Sequence, residues 1–262
     1  MNFSIPTDLD RFREWSHSDA FPDSVQISMH EREITVQWSD PQAHQMTEIT
    51  IPTTLERFQS WACSDRYPEK VRISFLDQEI FVDMSPEEIQ THNKIKLEIT
   101  RVIENYNKKV ELGEVYTDRV LLVNEDAHIS TEPDMMLVTF DSLREETVRF
   151  VARESDEEQF VRVLGAPDLV LEVVSESSVR KDTHQLREQY FNAGVKEYWL
   201  VDARGEEIEL QILIRNETDF TECQRSGSWL ISPLLNRRAK LTRERNVLNL
   251  WRYTLELKSI RK

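Results

Sequence analysis

Residues 165–203 read GAPDLVLEVVSESSVRKDTHQLREQYFNAGVKEYWLVDA. Asp168 to Ser175 is an apolar run of strand length, rich in Val and Leu, of the kind that lies buried on both faces of a sheet. Glu172 interrupts it. A carboxylate in the middle of such a strand is costly unless it is paired, protonated or bound to a cation, and a metal ion is the reason we expect. A Ser-rich loop at 175–178 follows. Arg180 to Asn192 then reads as a helix with Leu186 and Tyr190 facing inward and Gly194 as its C-terminal stop. Glu197 to Val201 is a second strand. Strand, helix and strand within residues 168–201 make a βαβ unit, which requires parallel strands and a right-handed crossover. This unit is expected at the centre of the sheet.

Working outward, EPDMMLVTF at 132–140 has Pro133 to set an extended start, a strand from Met135 to Phe140, and Asp134 at the mouth of that strand. Earlier, Ser85, Pro86 and Glu88 read as N-cap, first and third positions of a long helix that Ile89, Ile95, Ile99, Val102, Ile103 and Tyr106 carry to Lys109. His92 and Glu98 lie near its inner stripe, His92 as an ordinary core or helix-face histidine. Gly113 breaks the helix, and Glu114 to Val123 reads as a strand. Val148–Val151 and Val161–Leu164 are weaker strands around a solvated acidic turn at 153–159. EIELQILI at 207–214 alternates as an antiparallel strand, and Trp229–Leu235 and Leu248–Leu257 add short edge elements. The core is therefore a helix, three strands, a helix and a strand, of α/β (α+β) class with a mixed central sheet. Asp134 stands on the second strand and Glu172 on the third. Two carboxylates on neighbouring strands can converge on one divalent cation, and hard oxygen donors favour Mg²⁺ or Mn²⁺.

The PD dipeptide at 133–134, the segment DLVLEVVSESS and the segment GVKEYWLVD at 194–202 closely resemble the Uma-two family, a large bacterial group of endonucleases within the PD-(D/E)xK, restriction endonuclease-like superfamily. The likeness spans roughly residues 50–260, with three separated motifs in the right order. It implies a restriction endonuclease-like αβββαβ core in which Asp134 and Glu172, with a backbone carbonyl near Val173, hold the metal. A water on that metal would attack a DNA phosphodiester. The superfamily pattern places a Lys two residues after the Glu, where this chain has Val174. Lys181, at the start of the following helix, is the nearest substitute, with Arg187 the other candidate. Glu98 and Asp168 are carried as further metal ligands, although a strand-initial Asp is often only a cap. Tyr190 and Trp199 are expected in the core.

The N-terminal third is internally repeated. Ile5–Ser39 aligns without gaps on Ile51–Ser85 at an offset of 46, with 17 of 35 positions identical, including the IPT triplets, Phe12 with Phe58, Trp15 with Trp61 and Pro22 with Pro68. Each copy opens with a capping signature, Thr7 with Asp10 and Thr53 with Glu56. A short helix with an apolar stripe follows, Leu9, Phe12 and Trp15 or Leu55, Phe58 and Trp61. Period-two alternation on either side of HERE or LDQE then marks a hairpin. Two copies are too few for a solenoid. We expect residues 1–46 to be an extra copy, joined through the polar stretch DPQAHQM at 40–46, and residues 47–262 to be the main domain. In that domain 51–85 is the second copy, 86–203 the core and 204–262 the C-terminal strands and basic segment. The extra copy packs on the main domain or on a second chain, as a homodimer.

An apolar fraction of 39% with six Trp and eleven Phe supports a substantial core. No window approaches a membrane span and the start has no secretory pattern, so a cytoplasmic protein is expected. Cys63 and Cys223 form neither a disulfide framework nor a metal spacing. Phosphate-cradling loops and nucleophile elbows find no motif in a chain with only five Gly. The net charge of −15 argues against a protein that coats nucleic acid. Residues 223–262 nevertheless carry ten Lys and Arg against two acidic residues, with Trp229 and Trp251 among them. That stretch either tracks a phosphate backbone or is a solvated face balancing an acidic body. Two functional readings stand: a Mg²⁺-dependent DNA endonuclease, or a catalytically inactive relative that keeps the fold as a binding or assembly module.

Overall fold

The computed structural model describes residues 1–22, 24–40, 45–153 and 156–260. The chain begins β1 (Asn2–Pro6), α1 (Leu9–Trp15), β2 (Val25–His30), β3 (Glu33–Asp40), then β4 (Gln45–Pro52), α2 (Leu55–Ala62), β5 (Arg72–Leu76) and β6 (Glu79–Asp83). A π-helical turn, Ile89–Asn93, leads into α3 (Lys94–Val110). Next come β7 (Gly113–Thr117), β8 (Leu121–Asn124), β9 (Ile129–Thr131), β10 (Met135–Thr139), α4 (Phe140–Arg144), β11 (Val148–Arg153), β12 (Asp156–Gly165) and β13 (Leu169–Val174). A second π-helical turn, Lys181–Gln185, opens α5 (Leu186–Ala193). The chain closes with β14 (Glu197–Asp202), β15 (Glu209–Arg215), β16 (Phe220–Glu222), β17 (Arg225–Ser226), β18 (Trp229–Ser232), β19 (Arg237–Arg245) and β20 (Trp251–Ser259).

The six-stranded sheet runs β16-β15-β14-β13-β10-β7, mixed in direction, with β13 and β14 parallel at its centre and the other pairs antiparallel. Alternation along β13 assigns each residue to a layer. Leu169, Leu171 and Val173 face α3 and the four-stranded sheet β17-β18-β19-β20, whereas Val170 and Val174 face α5 and the seven-stranded sheet β1-β6-β5-β9-β8-β12-β11. The α3-β7-β10-β13-α5-β14 path is the expected helix, three strands, helix, strand. Gly194, at φ 95°, ends α5 in the left-handed conformation that only Gly adopts freely.

In the N-terminal third the strands change partners. Strand β1 pairs with β6, and β4 pairs with β3, in matching register: Ile5 opposite Ile80 and Ile51 opposite Ile34. Each copy of the repeat thus completes the hairpin of the other, around one core that includes Ile5, Phe12, Ile34, Ile51, Phe58 and Ile80. Strand β1, which lies before residue 46, is consequently part of the seven-stranded sheet.

Several boundaries move from the sequence reading. Asp8, not Thr7, caps α1, with its Oδ1 accepting from Asp10 N and Arg11 N. Thr7 is still extended, its N–H donating to Gln78 O, and the matching Thr53 N–H donates to Arg32 O, so both helices begin one residue later. Leu9 is exposed rather than part of a buried stripe. The long helix starts at Glu88, whose carboxylate accepts from Thr91 N, while the Ser85 hydroxyl accepts from the N-terminal ammonium. The strand expected over 114–123 breaks where Arg119 takes φ 65°, leaving β7 and β8 in different sheets. Of the acidic turn at 153–159, Arg153 ends β11 and residues from Asp156 on already belong to β12; 154 and 155 lie outside the described residues, as do 41–44 of the stretch between the repeats. Among the described residues no helix is long and apolar enough to cross a membrane.

Candidate active site

Asp134 and Glu172 come together where β10 begins and β13 approaches its end. Asp134 is the residue before β10, and its Oδ2 accepts the Val173 N–H at 2.8 Å. Within a strand the N–H and C=O of one residue point to the same side, so the Val173 carbonyl lies on the edge that faces Asp134. Glu172 shares the face of Val170 and Val174 and is buried against α5, where the Tyr190 hydroxyl donates to its Oε1 at 2.6 Å. Tyr190 is core, as expected, but core with a polar task.

Lys181 reaches the same place from the π-helical turn. Its Nζ is 3.4 Å from Asp182 Oδ1 and 5.3 Å above the Phe81 ring. Asp182 Oδ2 accepts from the Ser178 hydroxyl, while Oδ1 makes no hydrogen bond and has only that ion pair. Asp134, Glu172, Val173, Lys181, Asp182 and His92 line one cavity of about 30 Å³, room for a cation with a water or two. Arg72, Asp83, His92 and Ser175 also line an adjoining groove of about 360 Å³ that leads outward.

The charges are arranged unevenly. Burial would raise the Asp134 carboxyl, but the hydrogen bond and charge of His92, with Lys96 and the Val173 N–H, hold it down to about 2. His92 Nε2 is 3.3 Å from Asp134 Oδ2 and its Nδ1 is 3.1 Å from Glu87 Oε1. With a carboxylate at each nitrogen both must donate, and these partners raise the imidazole pKa against the effect of burial. Lys96 Nζ donates to Glu87 at 2.7 Å and Asp118 at 2.8 Å, and sits 3.8 Å from Asp134 Oδ1. Glu172 goes the other way. Burial first, and the Asp134 charge second, push its carboxyl well above the usual range against the opposing charge of Lys181. Burial also lifts Asp182, to about 6. Lys181 stays raised despite burial because Asp182, Glu172 and Asp134 all favour its charged form.

The two neighbouring carboxylates thus have their pKa values pushed apart, Asp134 held ionised and Glu172 favouring its protonated form. The donors that converge are two carboxylates and a main-chain carbonyl, all hard oxygens. They suit Mg²⁺ or Mn²⁺, which keep water in part of their shell. Among the described residues no group of three or more His, Cys, Asp and Glu side chains is set to hold a metal unaided.

The remaining candidates are engaged elsewhere. Glu98 pairs with Arg101 at 2.8 Å and accepts the Leu255 N–H at 3.1 Å, fastening β20 to α3. Asp168 accepts from Thr139 N at 2.6 Å and the Ser142 hydroxyl at 2.8 Å and pairs with Lys196 at 2.5 Å. It is a structural cap, four residues from Glu172 and so about 13 Å along the strand. Arg187 donates to Phe220 O at 2.7 Å and pairs with Asp219. Val174, where the superfamily motif would place its Lys, is buried in the apolar layer with Leu186 and Tyr190.

Sequence reasoning missed His92 as a partner of Asp134 and missed Lys96 and Arg72 altogether; Asp182 was expected only as a surface partner of Lys181, and that pair forms, but buried in the cavity. The readable signal was the i, i+4 spacing of His92 and Lys96 on the inner face of a helix, next to Ile95 and Ile99.

A crystal structure described as a putative nuclease belonging to DUF820 from Anabaena variabilis ATCC 29413 is similar in fold, with a TM-score of 0.51 and 18% identity over 70% of this chain and 91% of that one. No curated protein matches the chain. The family model described as "Uma2: Putative restriction endonuclease" matches residues 55–244, which include β10, β13, α5 and every residue of the cavity. The chain therefore belongs to the Uma2 family of putative restriction endonucleases.

Proposed function

We propose that this protein is a divalent-metal-dependent endonuclease that hydrolyses phosphodiester bonds in DNA. The observation that carries the reading is the meeting of Asp134, Glu172 and Lys181, from three separate segments, in one small buried cavity. Asp134, Glu172 and the Val173 carbonyl would hold Mg²⁺ or Mn²⁺. Such an ion, when bound, supplies a water of lowered pKa and neutralises charge on the scissile phosphate.

The chain's own groups prepare that site. His92, Lys96 and the Val173 N–H keep Asp134 ionised and fix its direction. Tyr190 fixes one oxygen of Glu172 and leaves the other free. Lys181, kept charged by Asp182, supplies the ammonium that the motif lysine would otherwise provide, placed to stabilise charge developing on a phosphate oxygen. Arg72, at the junction of cavity and groove, is suited to a neighbouring phosphate. Residues 1–46 act in this reading as a duplicated helix-hairpin unit that braces the nuclease domain over 47–262, and cutting both strands of a duplex would take two chains, as a homodimer. A second reading, a catalytically inactive binding module, is favoured by one observation, the apolar burial of Val174 where the motif has its lysine.

The test is cleavage of supercoiled plasmid and of single-stranded DNA in Mn²⁺ and in Mg²⁺, with Glu172→Gln and Lys181→Ala purified alongside. Metal-dependent nicking, lost in both variants, is expected. Nicking lost only in Glu172→Gln would keep the enzyme and remove Lys181 from the trio. Equal behaviour of wild type and Glu172→Gln would leave the binding module.

A further inference from the structure

Of the ten basic residues in the last forty, eight lie in β17, β19 and β20 of the four-stranded sheet, on a chain whose net charge is −15. At one end of that sheet β19 and β20 close as a hairpin, with Arg245 opposite Trp251. The loop between them is built, not slack. The Asn246 side-chain oxygen accepts from Leu248 N at 2.9 Å and Leu250 N at 3.0 Å, its own N–H donates to Leu250 O at 2.9 Å, and Arg245 donates to Asn249 O at 2.8 Å. Asn249 takes the left-handed conformation, φ 59°, that closes the turn. This frame holds Val247 and Leu248 out into solvent, 101% and 74% exposed. Hairpin tips are ordinarily polar, and two branched apolar side chains fixed in water gain nothing from the fold itself.

Basic groups flank the tip. The Arg245 and Arg243 guanidinium groups lie 3.4 and 4.1 Å from the Trp251 ring centroid, and Arg252 is exposed. The base of the hairpin is tied to the segment that serves the cavity. Trp251 N donates to Gln90 Oε1 at 3.2 Å, and Trp251 O accepts from Lys94 Nζ at 2.9 Å. Gln90 and Lys94 bracket His92, which meets Asp134.

We propose that the β19–β20 hairpin is a wing for duplex DNA, in which Arg245 and Arg252 meet backbone phosphates while Val247 and Leu248 wedge between base pairs. The proposal rests on the nuclease reading and adds to it a substrate, the duplex, and a means of opening it. Apolar wedges on basic elements unstack base steps in this way, and a sheet rich in basic residues on an acidic body favours the polyanion there, where phosphates would take over Arg252 from Glu244, 3.6 Å away. An anionic membrane surface shares part of the chemistry, but anchorage on the helix start that also carries His92 favours the nucleic acid.

The experiment uses full-length Glu172→Gln protein, which separates binding from cleavage, and a short duplex carrying 2-aminopurine. Binding that brightens the probe is expected. Val247→Ser with Leu248→Ser should abolish the brightening and weaken binding at least about fivefold, while Arg245→Ala and Arg252→Ala should each lower the salt slope of binding by about one. All four positions are at the surface, and thermal melting checks that the variants fold. Brightening unchanged in the tip variant, or no duplex binding at low salt, would overturn the wing. So would tip-dependent sedimentation with phosphatidylserine vesicles in place of duplex binding. Tip-dependent binding with no cleavage by wild type would instead retain the wing and remove the nuclease.

Discussion

The two copies of the N-terminal repeat share a scaffold and differ in what it faces. Equivalent contacts recur across them: Arg11 with Glu79 at 3.3 Å and Arg57 with Glu33 at 2.8 Å, Thr7 N to Gln78 O and Thr53 N to Arg32 O, and a left-handed turn residue at Glu31 and at Asp77. Yet the hairpin of the second copy continues through β9 into the seven-stranded sheet and supplies Arg72, Phe81 and Asp83 to the cavity, whereas the matching positions of the first copy are Gln26, Thr35 and Gln37. Most buried positions of the common core are shared, Ile5 with Ile51, Phe12 with Phe58, Val25 with Val71 and Ile34 with Ile80, whereas Arg72, Phe81 and Asp83 at the cavity have no like residue in the first copy. Both units build the common core, and only the second also lines the cavity.

The largest effect should come from undoing the exchange. Protein lacking the first copy, residues 45–262, loses the partner of β6 and a large share of the core around Ile51 and Phe58. The expected loss is on the order of 5–10 kcal/mol, enough to make the fragment insoluble or molten. A fragment melting within a few degrees of the full chain would show that the copies are independent. Next in size is an exchange of one differing position. Phe81→Thr should cost about 3 kcal/mol in chemical denaturation and reduce nicking by removing the ring under Lys181. The reciprocal Thr35→Phe, on the bracing copy, should leave nicking at wild-type rate; equal losses in both would erase the distinction.

The cavity should also show itself in pH dependence. Burial raises Glu172 and Asp182 in the folded state, Asp182 to about 6. Their contribution to stability is full below the unfolded value near 4 and is lost as pH rises through the folded value. In chelator, stability should therefore fall between pH 4 and 7 by on the order of 1–3 kcal/mol, and Mg²⁺ should recover part of it at pH 7. Asp134, held down to about 2, works oppositely: its contribution is present above about 4 and is lost as pH falls toward 2. A flat denaturation midpoint across pH 4–7, in chelator and in Mg²⁺ alike, would count against the cation site. The smallest effects belong to the symmetric ion pairs. Arg11→Ala and Arg57→Ala remove partly exposed bridges and should each cost about 0.5 kcal/mol, equally if the copies brace each other alike.

Much of the half that carries the candidate site was legible. The βαβ unit is marked by run length, period and the stop at Gly194, all local properties. Asp134 and Glu172 stand out because a carboxylate in or beside an apolar strand is anomalous whatever the fold. His92, Lys96 and Arg72 did not stand out, since a cation on an amphipathic helix or a hairpin strand has the same appearance in sequence whether it meets water or a buried acid. Strand β19 was missed because RRAKLTRER alternates charged residues with small or modestly apolar ones. Its burial, at Ala239 and Leu241, comes from α3 and the six-stranded sheet beneath it. Glu98 and Asp168 were over-read for the converse reason, because an inward acid was credited to the metal when an N–H or a lysine already claimed it.

By itself the sequence determined the repeat, the order of helix and strands in the core, and the two acids whose burial demands compensation, because these follow from periodicity and from the cost of desolvating charge. That each repeat lends a strand to the other, that Lys181 turns back toward Glu172 while Arg187 does not, and that the basic C-terminal sheet is fastened to the helix that carries His92 came from the tertiary structure alone. Those outcomes depend on which surfaces meet, and contacts between segments far apart in the chain leave no period in either one.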